Sequence, residues 1–308
     1  MRFHALLPVR DEADIVGQCL RQLLAWADAV HVFDTGSEDD TWEVVSDLAS
    51  RDERVHLLGR DPVYFSETRL RGWMFHQARA HMQDGDWFLR VDADEFHHVP
   101  PPEFVREHLA PHETIVFHQY YDFRLTAAEV EAWQAGRESL ADRARPIEER
   151  RRFFTVSAYS EPRLCRYRAS MRWPPTVSFP FNAGFRARAR LPIRHYPHRD
   201  PVQLERRCRL RAAMMADAEN RREWSCALVL RWQSDWQSFI VPADHPGLHH
   251  WQPGSPLPEF HFTNHLARPH VRAAQRIAHA CLLPVLDRLR SRYPDEAYPQ
   301  RIACSQSG

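Results

Sequence analysis

Over roughly residues 1 to 100, short apolar blocks alternate with polar breaks, and the spacing of apolar positions changes from block to block. Phe3 to Val9 is a continuous apolar run and predicts a strand. Glu12 to Trp26 carries Ile15, Leu20, Leu23 and Leu24 at helical spacing, which predicts an amphipathic helix. Ala29 to Phe33 predicts a second strand. The polar stretch DTGSEDDT follows as a loop, with Ser37 or Asp39 as N-cap of a helix over Thr41 to Ala49. Arg54 to Leu58 predicts a third strand, Glu67 to Met82 a helix, and Asp86 to Val91 a fourth strand. Strands alternating with helices at this spacing predict an α/β fold: a doubly wound, mostly parallel sheet with helices on both faces and right-handed crossovers. Ligands of such sheets bind at the carboxyl ends of the strands. Three polar clusters stand there: Arg10-Asp11-Glu12, Asp34 to Ser37, and Asp92 to Glu95.

Beyond Pro102 the pattern loosens. Thr114 to Phe123 predicts a central strand, and Ala127 to Arg152 an exposed, charged helical insertion. EPRLCRY and LPIRHYP predict later strands, Val202 to Asn220 an arginine-rich helix, and Val271 to Arg292 a terminal helix. The expected organisation is a domain over 1–200, in two halves at 1–100 and 101–200, the second holding the insertion near 125–152. A helical and irregular region over 201–308 packs on it.

Composition adds limits. The 308 residues are 44% hydrophobic and 27% charged, as in globular proteins. The 41 basic residues, all arginine, balance 41 acidic ones, so net charge gives no reason to expect nucleic acid. Arginine suits bidentate contact with phosphate or carboxylate. The arginine-rich helix could lie against an acidic membrane surface as a peripheral contact, but solvent is the favoured neighbour. Six scattered cysteines form no C-x-x-C pair. With no apolar run long enough for a membrane span and no secretory pattern at the start, a reduced, cytoplasmic protein is expected.

Two stretches carry chemistry. In RVDADEFHH, Asp92 and Asp94 follow an apolar strand at a spacing that can hold a hard divalent cation, leaving positions for phosphate oxygens. Such an ion offsets charge on a departing diphosphate. DTGS at Asp34 is also how an aspartic-protease loop reads. That chemistry needs a second aspartate sharing a proton, and no second Asp-Thr/Ser-Gly exists. Asp34 at a strand end instead suits hydrogen bonds from a nucleotide base or ribose, with Gly36 allowing a close turn.

VRDEADI (Val9 to Ile15), the pattern of Asp34, Gly36, Ser37, Asp39 and Thr41, and WFLRVDADEF together resemble a family 2 glycosyltransferase of the GT-A fold. The resemblance covers roughly residues 1 to 100 and continues weakly through PRLCRYRASMRW and RHYPHRDPVQLERR. It implies a metal-dependent, inverting transfer from a nucleotide-sugar donor to a glycan, lipid-linked or protein acceptor. Glu12 and Asp34 would hold the nucleotide, with Val9, Arg10, Gly36, Ser37 and Ala93 lining it. Asp92 would contact ribose or phosphate and share the metal site, where Asp94 ligates Mn²⁺ or Mg²⁺. Arg69 or Arg71, and Arg194 or Arg199, could reach the diphosphate. In relatives a late histidine often completes the metal shell; His195 fits it, with His198 behind.

Two positions depart from the family pattern. Asp11 replaces the usual asparagine and is expected to cap the next helix rather than touch donor. The usual His-Glu pair after Arg172-Trp173 is missing, so the catalytic base is open among Glu161, Asp122 and, behind them, Glu95. The histidines at 249, 250, 261, 265 and 270 lack zinc-ligand spacing and read as loop and surface residues. Trp173, Trp251 and Tyr196 could stack on sugars or serve the core. Two other functions remain to be weighed: nucleotidyl transfer, although the G-x-G-T-R-x-x-P loop is absent, and a non-catalytic binding module on a degenerate transferase fold.

Overall fold

The computed structural model describes residues 1–62, 69–175, 177–216, 235–259 and 269–290. Four parallel strands form one half of a ten-stranded sheet: β1 (Phe3–Val9), β2 (Ala29–Asp34), β3 (Val55–Arg60) and β4 (Trp87–Arg90), in the order β3-β2-β1-β4. Side chains alternate across the pleat. Phe3, Ala5, Leu7 and Val9 meet Cys19, Leu20 and Leu23 of α1 (Val16–Leu24) and Val45 of α2 (Thr41–Arg51) on one face. Leu6, Phe33 and Phe88 meet Leu70, Met74 and Phe75 of α3 (Arg69–Ala78) on the other. Helices on both faces are thus the doubly wound arrangement expected from the alternation.

Parallel order stops at β4. Its far neighbour β8 (Pro162–Arg166) is antiparallel and joins it to β6 (Glu113–Phe123). The chain leaving β4 turns through Asp92-Ala93-Asp94 into β5 (Glu95–His97), and α4 (Pro101–His108) follows. β5 abandons β4 and pairs with β9 (Phe185–His195), which also lies parallel to β6. The D-x-D turn therefore sits where the sheet curls, clasped by β9. One rung across β5, β9 and β6 carries Glu95, His195 and Asp122.

The segment expected as an exposed, charged helical insertion is exposed over most of 131–146 and anchored at its two ends. It forms α5 (Ala127–Gln134), a 3-10 turn and α6 (Ile147–Arg150), leading into β7 (Phe153–Val156). Thr126 and Glu129 cap α5 reciprocally. Ile147 and Arg151 are buried, and Arg151 donates to Glu138 and to the Arg199 carbonyl at 2.6 Å. Arg143 grips Asp200 through Nε and Nη2. Charged side chains pack here because each has a partner, which composition alone does not display.

The arginine-rich helix is α7 (Pro201–Ala216); the rest of its expected span lies outside the described residues. β10 (His249–His250) extends the sheet beside β7. The terminal helix is two helices, α8 (Pro269–Cys281) and α9 (Leu283–Arg290), broken at Leu282 just before Pro284. No described helix is long and apolar enough to cross a membrane.

At the amino ends of β1 to β3, opposite the polar clusters, His4, His31 and His56 stack in a row under His81, with ring centroids 5.0 to 5.6 Å apart. Burial, with smaller contributions from His4, His56 and His81, pushes the His31 imidazole down to about 3. The folded chain thus holds His31 neutral, and below the ordinary histidine pKa the unfolded chain binds the extra proton. This stability is full above pH ~6.5 and falls as pH drops toward the folded value, by about 2 kcal/mol at pH 5. Between pH 7.5 and pH 5, urea unfolding should show His31→Gln losing less stability than wild type by that amount, while His97, likewise pushed down by burial to about 3, keeps its own share. An unchanged slope in the variant would contradict the assignment.

Candidate active site

The carboxyl ends of β1, β2 and β4 bring Glu12, Asp34, Asp92 and Asp94 together, as strand order requires. Asp34 is fully buried, and its Oδ1 accepts from the Gly36 and Ser37 amides, both at 2.7 Å. Its Oδ2 is buried with no hydrogen-bond partner among the described residues. Gly36 has φ +94°, and a Cβ there would meet Pro62 Cα at 2.7 Å, so only glycine suits this turn. Arg10 Nη1 donates to the Thr35 carbonyl at 3.2 Å, the Val9 carbonyl accepts from Thr35, and Ala93 packs in the core.

Asp11 does not cap α1. At φ 55°, it accepts from the Glu38 amide and from Arg206 Nη2, each at 2.7 Å. Asp39 accepts from the Thr41 amide at the start of α2, while Ser37 Oγ accepts from the Asp11 amide. Glu12 and Asp14 both meet the buried Arg199. Burial raises the Glu12 carboxyl to about 7 against the pull of Arg199.

The D-x-D carboxylates each meet arginine. Asp92 accepts from Arg71 Nη2 at 2.9 Å and Arg163 Nη2 at 3.2 Å. Arg71 is buried, so it lies on no solvated helix face, while Arg69 at the start of α3 is exposed. Asp94 Oδ2 accepts from Arg207 Nη1 at 2.7 Å and stands 3.6 Å from His195 Nε2. Burial alone would raise the Asp94 carboxyl, but Arg207, His195 and Arg199 outweigh it and hold it well below the usual range. Side-chain exposure separates the two aspartates, 32% for Asp92 against 5% for Asp94, so Asp92 presents the open edge.

His195 is fixed from two sides. Its Nδ1 lies 2.7 Å from Asp122 Oδ1, and its ring stacks on Tyr120 at 4.6 Å. Burial would lower its pKa, but Asp94 and Asp122 together raise it to about 9. His198 packs instead against Phe239. Arg194, the neighbour of His195 on β9, pairs with Glu148 and lies over Trp251, away from the D-x-D turn. Successive strand residues face opposite ways, which removes Arg194 from the cluster and leaves Arg199 in it.

Two of the three base candidates, Glu95 and Glu161, meet one further arginine. Arg163 Nη2 lies 2.8 Å from Glu95 and 2.9 Å from Glu161, besides Asp92 and the Tyr120 hydroxyl. Glu95 is fully buried, accepts from Tyr120 OH and the Asp92 amide, and is raised by burial to about 7. Glu161 keeps 17% side-chain exposure, and Arg163 and Arg90 outweigh its burial and hold it ionised. Asp122 is committed to His195 and Arg124.

Sequence reasoning missed Arg163, Arg206, Arg207 and Tyr120. The strand EPRLCRY was legible, but nothing in it marks which arginine points at the acids. Arg206 and Arg207 correct the expectation that α7 turns its arginines to solvent. Trp173, Trp251 and Tyr196 are buried in the core clusters. His249 and His250 are exposed beside Phe154 and Phe153, His270 is exposed, and the histidines at 261 and 265 lie outside the described residues. Among the described residues, no group of three or more His, Cys, Asp or Glu stands ready to hold a metal.

A curled α/β sheet carries acids from three strand ends at its switch point, within the stretch that a family model matches. The chain belongs to glycosyl transferase family 2, which matches residues 5–164. Among solved structures, a mannosyltransferase from Pyrobaculum calidifontis in complex with GDP-Man and Mn²⁺ is 17% identical. That match covers 40% of this chain and 35% of that one, at TM-score 0.30, so this chain spans about a third of its length. Glucosyl-3-phosphoglycerate synthase from Mycobacterium tuberculosis is 19% identical over 54% and 56% of the two chains, at TM-score 0.25. A 4-diphosphocytidyl-2C-methyl-D-erythritol synthase is 12% identical over 54% and 75%, at TM-score 0.32. No curated protein sequence matches the chain.

Arg163 neutralises several buried acids at once, and removing one member of such a group leaves uncompensated charge. Arg163→Met should cost about 3–5 kcal/mol and lower the melting temperature by several degrees. Arg51→Met, which breaks only the exposed pair with Asp47, should hardly move it. Equal melting temperatures for both variants would refute the central role of Arg163.

Proposed function

We propose that the chain transfers a sugar, with inversion, from a nucleotide-sugar donor to a hydroxyl acceptor, assisted by Mn²⁺ or Mg²⁺. The observation that carries this reading is the meeting of Asp94 and His195 beside the nucleotide-side residues Asp34 and Glu12. A carboxylate oxygen and a ring nitrogen 3.6 Å apart are a donor pair that a divalent ion could bridge. The other His195 nitrogen is engaged by Asp122, the arrangement that orients a histidine ligand. As the chain stands, His195 faces a carboxylate at each ring nitrogen and Asp94 is met by Arg207, so an ion would enter only by displacing a proton and that pair, with donor phosphate oxygens completing its shell. The bound ion would supply charge for the departing diphosphate.

The remaining work belongs to the chain. Asp34 Oδ2, buried and unpaired, is an acceptor suited to a base or ribose donor, which must displace what covers it. Asp92, with its exposed edge braced by Arg71 and Arg163, faces ribose or phosphate. Glu161 is the base: beside Asp92, which faces the donor, it is the carboxylate of the Arg163 group that reaches solvent, and Arg163 and Arg90 keep it unprotonated against its burial. Glu95 and Asp122 hold Arg163 and His195 in place.

A thermal-shift screen with Mn²⁺ across uridine, guanosine, thymidine and cytidine sugars tests the reading, because a true donor raises stability with its affinity and concentration. No shift with any of them would count against it. Asp34→Ala should weaken nucleotide binding about tenfold with or without metal, as expected for a lost hydrogen bond to a charged group. Asp94→Ala should weaken only the metal-dependent part. If Asp94→Ala loses metal yet cellular function survives, the non-catalytic module is the better reading.

A further inference from the structure

We propose that α8 and α9 together form a surface that lies flat on an anionic phospholipid bilayer. The inference stands apart from the sugar-transfer reading, since it uses none of that site's residues. A helix on a globular protein turns its apolar side to the core and its polar side to water. These two helices do the reverse. Ile277, Leu282, Val285, Leu286 and Leu289 are all exposed, from 37% at Leu286 to 65% at Ile277. The Leu282 amide bonds to the Ala278 carbonyl and the Leu286 amide to the Leu282 carbonyl, both at 2.9 Å, so the helical path runs on across the break. Leu282 and Leu286, like Val285 and Leu289, stand four positions apart on one stripe, and Ile277 leads into it past the exposed Cys281. The other exposed large apolar side chains among the described residues are scattered from Met1 to Val202. The inward side, by contrast, is polar. Asp287 accepts from Ser170 Oγ at 2.5 Å and Asn182 Nδ2 at 2.7 Å, and pairs with Arg168. His279 meets the Phe185 ring edge-on at 6.4 Å, and Leu283 is the only buried side chain of the pair among the described residues. These contacts fix which side faces out.

Charge says what covers that side. From Pro269 to Leu289 the chain carries Arg272, Arg276 and Arg288 and a single acid, Asp287, which is spent inward. Arg276 and Arg288 are exposed beside the apolar stripe. A second copy of the chain would set these arginines against themselves, because a two-fold interface repeats each patch. An anionic bilayer supplies what both features need: apolar depth for the stripe and negative headgroups for the arginines. The helices lie in the interface plane and do not cross it, since neither is long and apolar enough to span. The arginine-rich α7 takes no part, because its Arg206 and Arg207 turn to acids of the fold.

Cosedimentation of the full chain with vesicles tests this surface. Wild type should pellet with phosphatidylcholine vesicles that contain phosphatidylglycerol, several-fold less with phosphatidylcholine alone, and less as salt rises. Replacing two outward side chains together, Val285→Ser and Leu289→Ser, should weaken binding about tenfold or more. Arg276→Gln should weaken it about fivefold, through one lost headgroup attraction. Leu140→Ser, at a comparably exposed apolar position on the 3-10 turn after α5, should bind as wild type does. All of these positions face solvent, so melting temperatures should stay within a few degrees of wild type. No pelleting by wild type, equal pelleting on both kinds of vesicle, or undiminished binding by the double variant overturns the proposal. So does a wild-type dimer in sedimentation velocity that the double variant converts to monomer while vesicles leave both untouched, since the face would then join two copies.

Discussion

The pairing of buried carboxylates with arginine at the curl of the sheet is the constraint on which the other features depend. Glu12, Asp92, Asp94, Glu95 and Glu161 stand close together, and such a group would repel itself apart without counter-charge. Arg163, Arg199 and Arg71 supply that charge from inside the fold, and they are themselves buried. Neither set is tolerable alone, because an isolated buried ion costs several kcal/mol or more. The site is therefore a mutual arrangement: acids at strand ends, arginines brought from later in the chain.

This pairing also explains parts of the fold that looked peripheral. The charged segment of α5 and α6 seats Arg199 and Asp200 through Arg151 and Arg143. Arg199 in turn holds Glu12 and Asp14 at the end of β1. α7 lays Arg207 on Asp94 and Arg206 on Asp11 and Asp39. A chain of ion pairs thus links the second half of the molecule to the strand ends of the first. Aromatic contacts complete it, with Tyr120 between Glu95 and His195.

Three carboxylates with one chemistry end in different states because their surroundings differ. Glu95 is buried near one arginine and stays close to neutrality in its titration, at about 7. Glu161 faces several cationic groups and is ionised. Asp122 is spent on a histidine. Composition cannot separate these roles, since burial and neighbours set them.

Much of the first half was legible from residue order. Apolar period and turn residues marked β1 to β4 and the helices between them, because these signals act over a few positions. The same strands placed Asp34, Asp92 and Asp94 at their carboxyl ends, and parallel order made them converge. What the tertiary structure alone decided is which arginine meets which acid. Arg163 reaches Asp92 across 71 positions, Arg207 reaches Asp94 across 113, and Arg199 reaches Glu12 across 187. All 41 basic residues are arginine, so type does not distinguish them. Only the direction in which each strand or helix points its side chain does, and that direction is set by packing between elements far apart in the chain.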